Sequence, residues 1–324
     1  RIALEGGASN GGKISIRFKA DNDLSTYTTD AAVYDDGAGA WKHIVVTVDK
    51  VSSGNTAFKI HVNGDDTAST LTNATTDAKH AAFESTKNLY IGAYNNDGSV
   101  ANSFAGKMKD IAIFNTVLTE AQAFAIYNSS KPFNLARDRG NYTNSSALVA
   151  YWRTGNGPFD DKVNGVVHDA HNPGYGTEAI QDTSFSVPVA ESTTGTYWTT
   201  GAGWTISGGG ATYDGGGDTN TQLVSSITSG FVDSKFHRVQ FDLTDTGGGG
   251  VFVRVCGGTF SSNITGTGQK IVYILAGSST NRLTFETGHD DKAFTISNVS
   301  CVALNGIPGF TNGDTVFNAD TPDD

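Results

Sequence analysis

Carboxylates are the first residues to weigh for chemistry here, because two of them facing each other across a cleft can hydrolyse a glycosidic bond. Glu120 stands where a helix should begin and favours the dipole there. Glu84, Glu178 and Glu191 fall in loops, while Glu5 and Glu286 fall on expected strands without a partner at the needed spacing. They read as solvated side chains, and no G-x-S-x-G elbow offers a nucleophile instead. His168, Asp169 and His171 form the only histidine cluster, yet structural zinc takes four ligands and neither Cys256 nor Cys301 is near in sequence. A turn held by backbone hydrogen bonds is the expected reading of that cluster. Acidic pairs recur in loops at Asp21/Asp23, Asp35/Asp36, Asp65/Asp66, Asp160/Asp161 and Asp290/Asp291. Hard cations take such oxygens, so Asp21, Asp23, Asp65 and Asp66 are the candidate calcium ligands, although their spacing matches no defined calcium loop. No other cofactor is expected.

Exposed aromatic rings are the other route to chemistry, since sugar faces stack on them. Trp198, beside Tyr197 and just ahead of a Gly-rich turn, is the leading platform candidate, with Tyr213 second. Packing into a core is nonetheless the favoured reading for all three, as it is for Trp41 and Trp204.

The elements that must carry these residues are strands. With 324 residues, 40 glycines, 6 prolines and a single methionine, the chain is long enough for two β domains, each with its own core. The net charge of −11 and the absence of any Lys/Arg cluster argue against nucleic-acid binding. No apolar run approaches the roughly 20 residues that cross a bilayer, so membrane insertion is not expected. Cys256 and Cys301 lie in apolar strands and read as buried free thiols rather than a bridge.

From Trp41 to Asn128 the pattern is a strand meander closed by a helix. Ile44, Val46 and Val48 alternate with Val45, Thr47 and Asp49, and Phe58, Ile60 and Val62 alternate with Lys59, His61 and Asn63, which is period two. Asn63-Gly64 is a hairpin dipeptide. Leu89 to Asp97 reads as a further strand, and Thr119 with Gln122 forms a capping box for a helix whose Phe124 and Tyr127 should pin it to the sheets. These phrases (WKHIVVTV, VNGDD, LYIGAY and GKMKDIAIFNTVLTEAQAFAIYN) resemble the laminin-G-like, concanavalin-A-like β-sandwich family. Such a domain carries more strands ahead of Trp41 than the two candidates present. The chain, which starts at Arg1, therefore reads as a segment of a longer protein lacking the N-terminal strands.

Residues 136–182, with RDRGNYTNSS and LVAYWRTGNGPFDD, read as an irregular Gly/Asn/Asp-rich connector, with Tyr151 and Trp152 laying it back on the first domain (1–135). The YWRTGNG phrase after the helix resembles a connector that accompanies laminin-G-like domains in virion proteins of tailed bacteriophages. Residues 183–304 hold recurring short strands between Gly-rich turns, among them KFHRVQFDLTD, VFVRVCGG and FTISNVSCVAL. Their order resembles a jelly roll of the carbohydrate-binding-module type, and 305–324 reads as an acidic tail or linker. The fold class expected is all-β: two antiparallel sandwiches joined by the connector, with one short helix closing the first.

The resemblance implies a non-catalytic structural protein at the virion surface of a tailed bacteriophage, such as a fibre, appendage or capsid decoration. It would contact cell-surface glycan and pack against other virion proteins and copies of itself, as a trimer by analogy with fibres. A secreted bacterial adhesin or filament subunit and a polysaccharide-degrading enzyme are the alternatives. Glucanases of the concanavalin-like fold carry an E-x-D-x-x-E strand, which this sequence lacks.

Overall fold

A computed structural model describes residues 2–5, 12–20, 23–33, 41–50, 56–67, 69–74, 90–96, 99–101, 104, 106–154, 157, 159–216, 220–226, 228–245, 248–288 and 292–311. The chain is all-β apart from one α-helix and short 3₁₀ turns among the described residues, and it divides after Thr154 into two compact units.

In the first unit the strands are β1 (Ile2–Glu5), β2 (Lys13–Ala20), β3 (Asp23–Thr29), β4 (Ile44–Lys50), β5 (Thr56–Val62), β6 (Asp65–Thr67), β7 (Ser69–Ala74), β8 (Tyr94–Asn96), β9 (Ser99–Ala101), β10 (Ile111–Phe114) and β11 (Leu148–Trp152). A four-stranded antiparallel sheet β1-β2-β3-β7 packs against the three-stranded sheet β4-β5-β6 through Ile14 and Ile60, with Val33, Val46 and Val62 around them. Among the described residues three strands, not two, precede Trp41. The unforeseen β3 and β7 are DLSTYTT and STLTNA, in which Thr and Ser supply strand-compatible side chains without an apolar alternation to betray them.

The Asn63-Gly64 turn forms as expected, with φ of 54° and 90°, the signature of a tight two-residue hairpin. Helix α1 (Glu120–Tyr127) has the full capping box: Thr119 Oγ1 accepts from the Gln122 amide at 3.3 Å and Gln122 Oε1 from the Thr119 amide at 2.8 Å. Its buried residues are Ala123 and Ile126 rather than the expected pair. Phe124, 53% exposed, lies over Gly64, and Tyr127 stacks on His43 at 5.9 Å. Of the expected strand Leu89 to Asp97 only Tyr94–Asn96 pairs, because Gly92 takes φ +77° and turns the chain before it; Leu89 and Asp97 lie outside the described residues.

The connector is less irregular than its composition suggests. β11 pairs antiparallel with β10, burying Tyr151 and Trp152 in the first unit, and Tyr151 Oη donates to Asp110 Oδ1 at 2.7 Å. Burial and the Asp110 carboxylate push the Tyr151 phenol far above its ordinary range, so it stays a donor. The division therefore falls after Thr154 rather than at the expected 135/136, and no strand ladder crosses it among the described residues.

The second unit contains β12 (Val166–Val167), β13 (Tyr175–Glu178), β14 (Trp198–Thr200), β15 (Trp204–Ser207), β16 (Gly210–Tyr213), β17 (Gln222–Ser225), β18 (Phe236–Asp245), β19 (Val251–Val255), β20 (Gly268–Leu275), β21 (Leu283–Thr287), β22 (Phe294–Leu304) and β23 (Gly309–Phe310). One sheet runs β15-β16-β22-β18-β20, with β13 beside the C-terminal half of β22, and the other runs β14-β17-β21-β19. All pairings are antiparallel. Between the sheets sits one core holding Trp198, Trp204, Tyr213, Phe231, Phe241, Phe285 and Phe294, fed by strict alternation in β18, where His237, Val239, Phe241 and Leu243 point inward. A bulge at Asn298 (φ 51°) lets β22 pair with β18 along nearly its whole length. Because β13 belongs to this sheet, the unit starts ahead of the expected Thr183. The segment read as an acidic tail or linker contributes β23, which pairs with β12; residues beyond Thr311 lie outside the described residues.

Candidate functional site

Two of the three aromatic candidates are not surface platforms. Trp198 is 1% exposed, its indole stacked near Phe185 at 4.8 Å and its Nε1–H donated to the Asp182 carbonyl at 3.1 Å. Tyr213 is 0% exposed and sits between Trp204 and Phe294, each 5.7 Å away. Both lie at inward positions of their strands, and the burial of a large ring outweighs any signal from the Gly-rich turn nearby. Tyr197, one residue out of phase with Trp198, is half-buried and packs on the edge of the core.

The candidate calcium aspartates do not converge among the described residues. Asp65 and Asp66 are exposed on the β5-β6 hairpin, and Asp66 pairs with Lys59 at 2.9 Å. Asp21 lies outside the described residues, as do Asp35, Asp36, Asp290 and Asp291, and of Asp23 only the backbone is described. No group of three or more His, Cys, Asp or Glu side chains able to hold a metal occurs among the described residues.

The histidine cluster is structural. His168 is buried between Phe159 and Tyr175, and burial lowers its pKa, keeping the ring neutral. Its amide donates to Asp160 Oδ1 at 2.8 Å, while Asp169 receives the amides of His171 (3.0 Å) and Ile307 (3.2 Å). Glu178 and Glu191 behave alike. Glu178 accepts from the amides of Ile180 and Cys301 and from Ser300 Oγ at 2.6 Å, and Glu191 accepts from the Gly203 amide at 2.7 Å. Each is engaged in holding backbone. Cys256 and Cys301 are free and buried as expected, and burial raises both thiols.

The outward face of the four-stranded sheet of the second unit brings together polar and aromatic side chains that the sequence reading did not single out as a group. Since Leu223, Val253, Leu283 and Phe285 point inward, their strand neighbours point out. Register aligns Gln222, Glu286 and Phe252 in one row and Thr199, Val224, Thr284 and Arg254 in the next. Alternation places Arg282 as the following outward position beyond Thr284. Gln222 Nε2 donates to Glu286 Oε2 at 2.6 Å, which fixes both across adjacent strands. After β19 the chain doubles back along that strand's free edge, held by Ser261 N to Val253 O at 2.8 Å and a bridge from Ile264 to Val251. It thereby sets Phe260 under the Arg254 guanidinium, 4.3 Å from ring centroid to charge, and edge-on to Phe252 at 6.3 Å. A lone phenylalanine in the polar run GGTFSSNITG was the available sequence signal for this site.

The other sheet's outward face is partly taken by the chain itself. Arg238 lies over the Tyr175 ring at 5.8 Å, Tyr273 Oη donates to Asp161 Oδ2 at 2.8 Å, and Phe310 packs on Phe236 at 4.3 Å. The four-stranded face is thus the one where donors, acceptors and rings combine in a form that suits a flat, hydroxyl-rich ligand.

Residues 2–123 match the Laminin_G_3 family, described as the concanavalin A-like lectin/glucanases superfamily. Among solved structures, one titled "CBM4 structure and function" aligns with 38% of this chain and 99% of its own, at 12% identity and a TM-score of 0.28. No curated protein matches the chain.

Proposed function

We propose that the chain is a non-catalytic glycan-binding structural protein, with the outward face of the β14-β17-β21-β19 sheet as its contact surface. The observation that carries this reading is the paired Gln222–Glu286 next to the Phe252–Phe260–Arg254 stack on one rigid sheet. An amide and a carboxylate locked to each other present donors and acceptors at fixed spacing, and a neighbouring ring gives a sugar face something to lie on. The engagement of Glu178, Glu191 and Asp169 with backbone amides supports a binding role over a hydrolytic one. The match of residues 2–123 to a lectin/glucanase superfamily is in keeping with it.

The setting we propose is the surface of a tailed-bacteriophage virion, where the protein packs with its own copies, as a trimer, and with other virion proteins. Support for that setting is the YWRTGNG phrase following the helix and joining a laminin-G-like domain to a jelly roll. The test is a glycan array probed with the full chain and with Q222A and F252A variants. Binding that either variant abolishes, with unchanged melting, is the expected result; binding unaffected by both would remove this face from the site. Electron microscopy of intact particles labelled with an antibody to the chain checks the setting, and label absent from the particle surface would overturn it.

A further inference from the structure

Arg254 and Arg282 lack the hydrogen-bonding or charged partners that hold several of the chain's other cations. Lys59 is paired with Asp66, Arg153 lies 3.6 Å from Asp110, Arg238 Nη2 is bonded to Gln240 Oε1 at 2.5 Å, and Lys235 Nζ reaches the Gly306 carbonyl at 3.2 Å. Neither the Arg254 nor the Arg282 guanidinium makes a hydrogen bond or ion pair among the described residues, and the Nε of each is buried without a partner. A buried donor left unpaired is costly, and native structures retain it chiefly where something else supplies the acceptor. Both residues are half-buried, and Thr284, set between them on the sheet, is only 5% exposed. Arg254 is further held in place by the Phe260 ring beneath it, which leaves its fork pre-oriented.

We propose that the glycan taken by this face is acidic: a polyuronate, whose sugar carboxylates dock on the Arg254 and Arg282 guanidiniums while its hydroxyls and ring faces meet Gln222, Glu286 and Phe252. The inference rests on the glycan-binding reading above and narrows its ligand class. A carboxylate matches the planar guanidinium fork in two parallel bonds, which a neutral hydroxyl does not. Among the described residues of the face the carboxylate is Glu286, which is bonded to Gln222, on a row away from Arg282.

The test uses the full chain in titration calorimetry against three probes: a polygalacturonate oligosaccharide, the same oligosaccharide with its carboxyls reduced to alcohols, and dextran sulfate. Variants R254Q and R282Q, checked for unchanged melting, are titrated in parallel. Expected is binding of the uronate that weakens about tenfold or more in each variant, as loss of a charge-assisted contact implies, and by a similar factor on carboxyl reduction. Equal binding of the reduced oligosaccharide, with the arginine variants unchanged but Q222A impaired, would overturn the acidic preference and leave glycan binding standing. Dextran sulfate binding as well as the uronate would reduce the face to a general anion attractor and overturn the proposal. No binding of either saccharide, by chain or variants, would overturn both readings.

Discussion

Acidification should loosen the first unit well before its carboxylates titrate fully, and the cause is one ring. His43 sits at the entry to β4, stacked on Tyr127 of the closing helix, with His61 buried beside it on the face of β5 opposite Ile60. Burial, reinforced by the neighbouring His61, pushes the His43 pKa from its ordinary 6.5 to about 4. The native state therefore prefers the neutral ring, while the unfolded chain takes up the proton near 6.5. Because the unfolded state binds more protons between those values, the stabilisation is complete above about 6.5 and is lost as pH falls toward 4. The interval of about 2.5 on the pH scale, at about 1.36 kcal/mol each, corresponds to roughly 3 kcal/mol in full, of which roughly 2–3 kcal/mol has gone by pH 4.5. For a unit of this size that lowers the melting temperature by about 5–12 °C. The assay is calorimetric melting of wild type and H43F, which keeps a ring against Tyr127, at pH 7, 6, 5 and 4.5. The difference between the two proteins should widen as pH falls, since carboxylate effects are common to both. Parallel curves over that range would refute the argument.

Two further outcomes follow from the packing. W198A should cost about 3–5 kcal/mol in guanidinium unfolding, as truncation of a fully buried ring does, and should leave glycan affinity intact in whatever fraction remains folded; lost affinity in a fully folded variant would contradict the assignment of this tryptophan to the core. G64A should cost about 1–3 kcal/mol, because φ at this residue is +90° and an added Cβ would come 2.8 Å from the Phe124 ring. G208A is the control, with φ +60° but nothing within 4 Å, and equal losses in the two would show that the helix contact carries no weight.

The elements that the sequence made legible were those where one local signal had no rival. β22 was readable end to end from FTISNVSCVAL, because apolar residues alternate on both sides of Asn298, and the capping box of α1 needs only two side chains three residues apart. Strands β3, β7 and β17 were hidden because Thr, Ser and Gln leave no apolar alternation in DLSTYTT, STLTNA and QLVS. The phase of Trp198 was open for a related reason. Its neighbours Tyr197 and Thr199 are compatible with either phase, and only the pairing of Thr199 with Val224 fixes which of them faces out. The His61 face of β5 likewise reads as solvent-facing in sequence, yet His61 and Thr47 are buried. A period-two pattern reports which residues share a face; it does not report what covers that face.

The same limit explains why the candidate site had to be found by register. Gln222 and Glu286 are 64 positions apart and become neighbours only because β17 and β21 pair, and Phe260 reaches Arg254 only because the chain returns along the β19 edge. None of these contacts follows from local spacing. The carboxylates that do stand close to one another in sequence, such as Asp160 and Asp161, are engaged by nearby backbone and side-chain donors, the His168 amide for one and Asn164 and Tyr273 for the other. Hydrogen bonding lowers the Asp161 pKa despite its partial burial, which suits a charged group serving as a brace. In a charge-poor sandwich the acids nearest in sequence hold loops in place, and the groups left to meet a ligand are those assembled across strands.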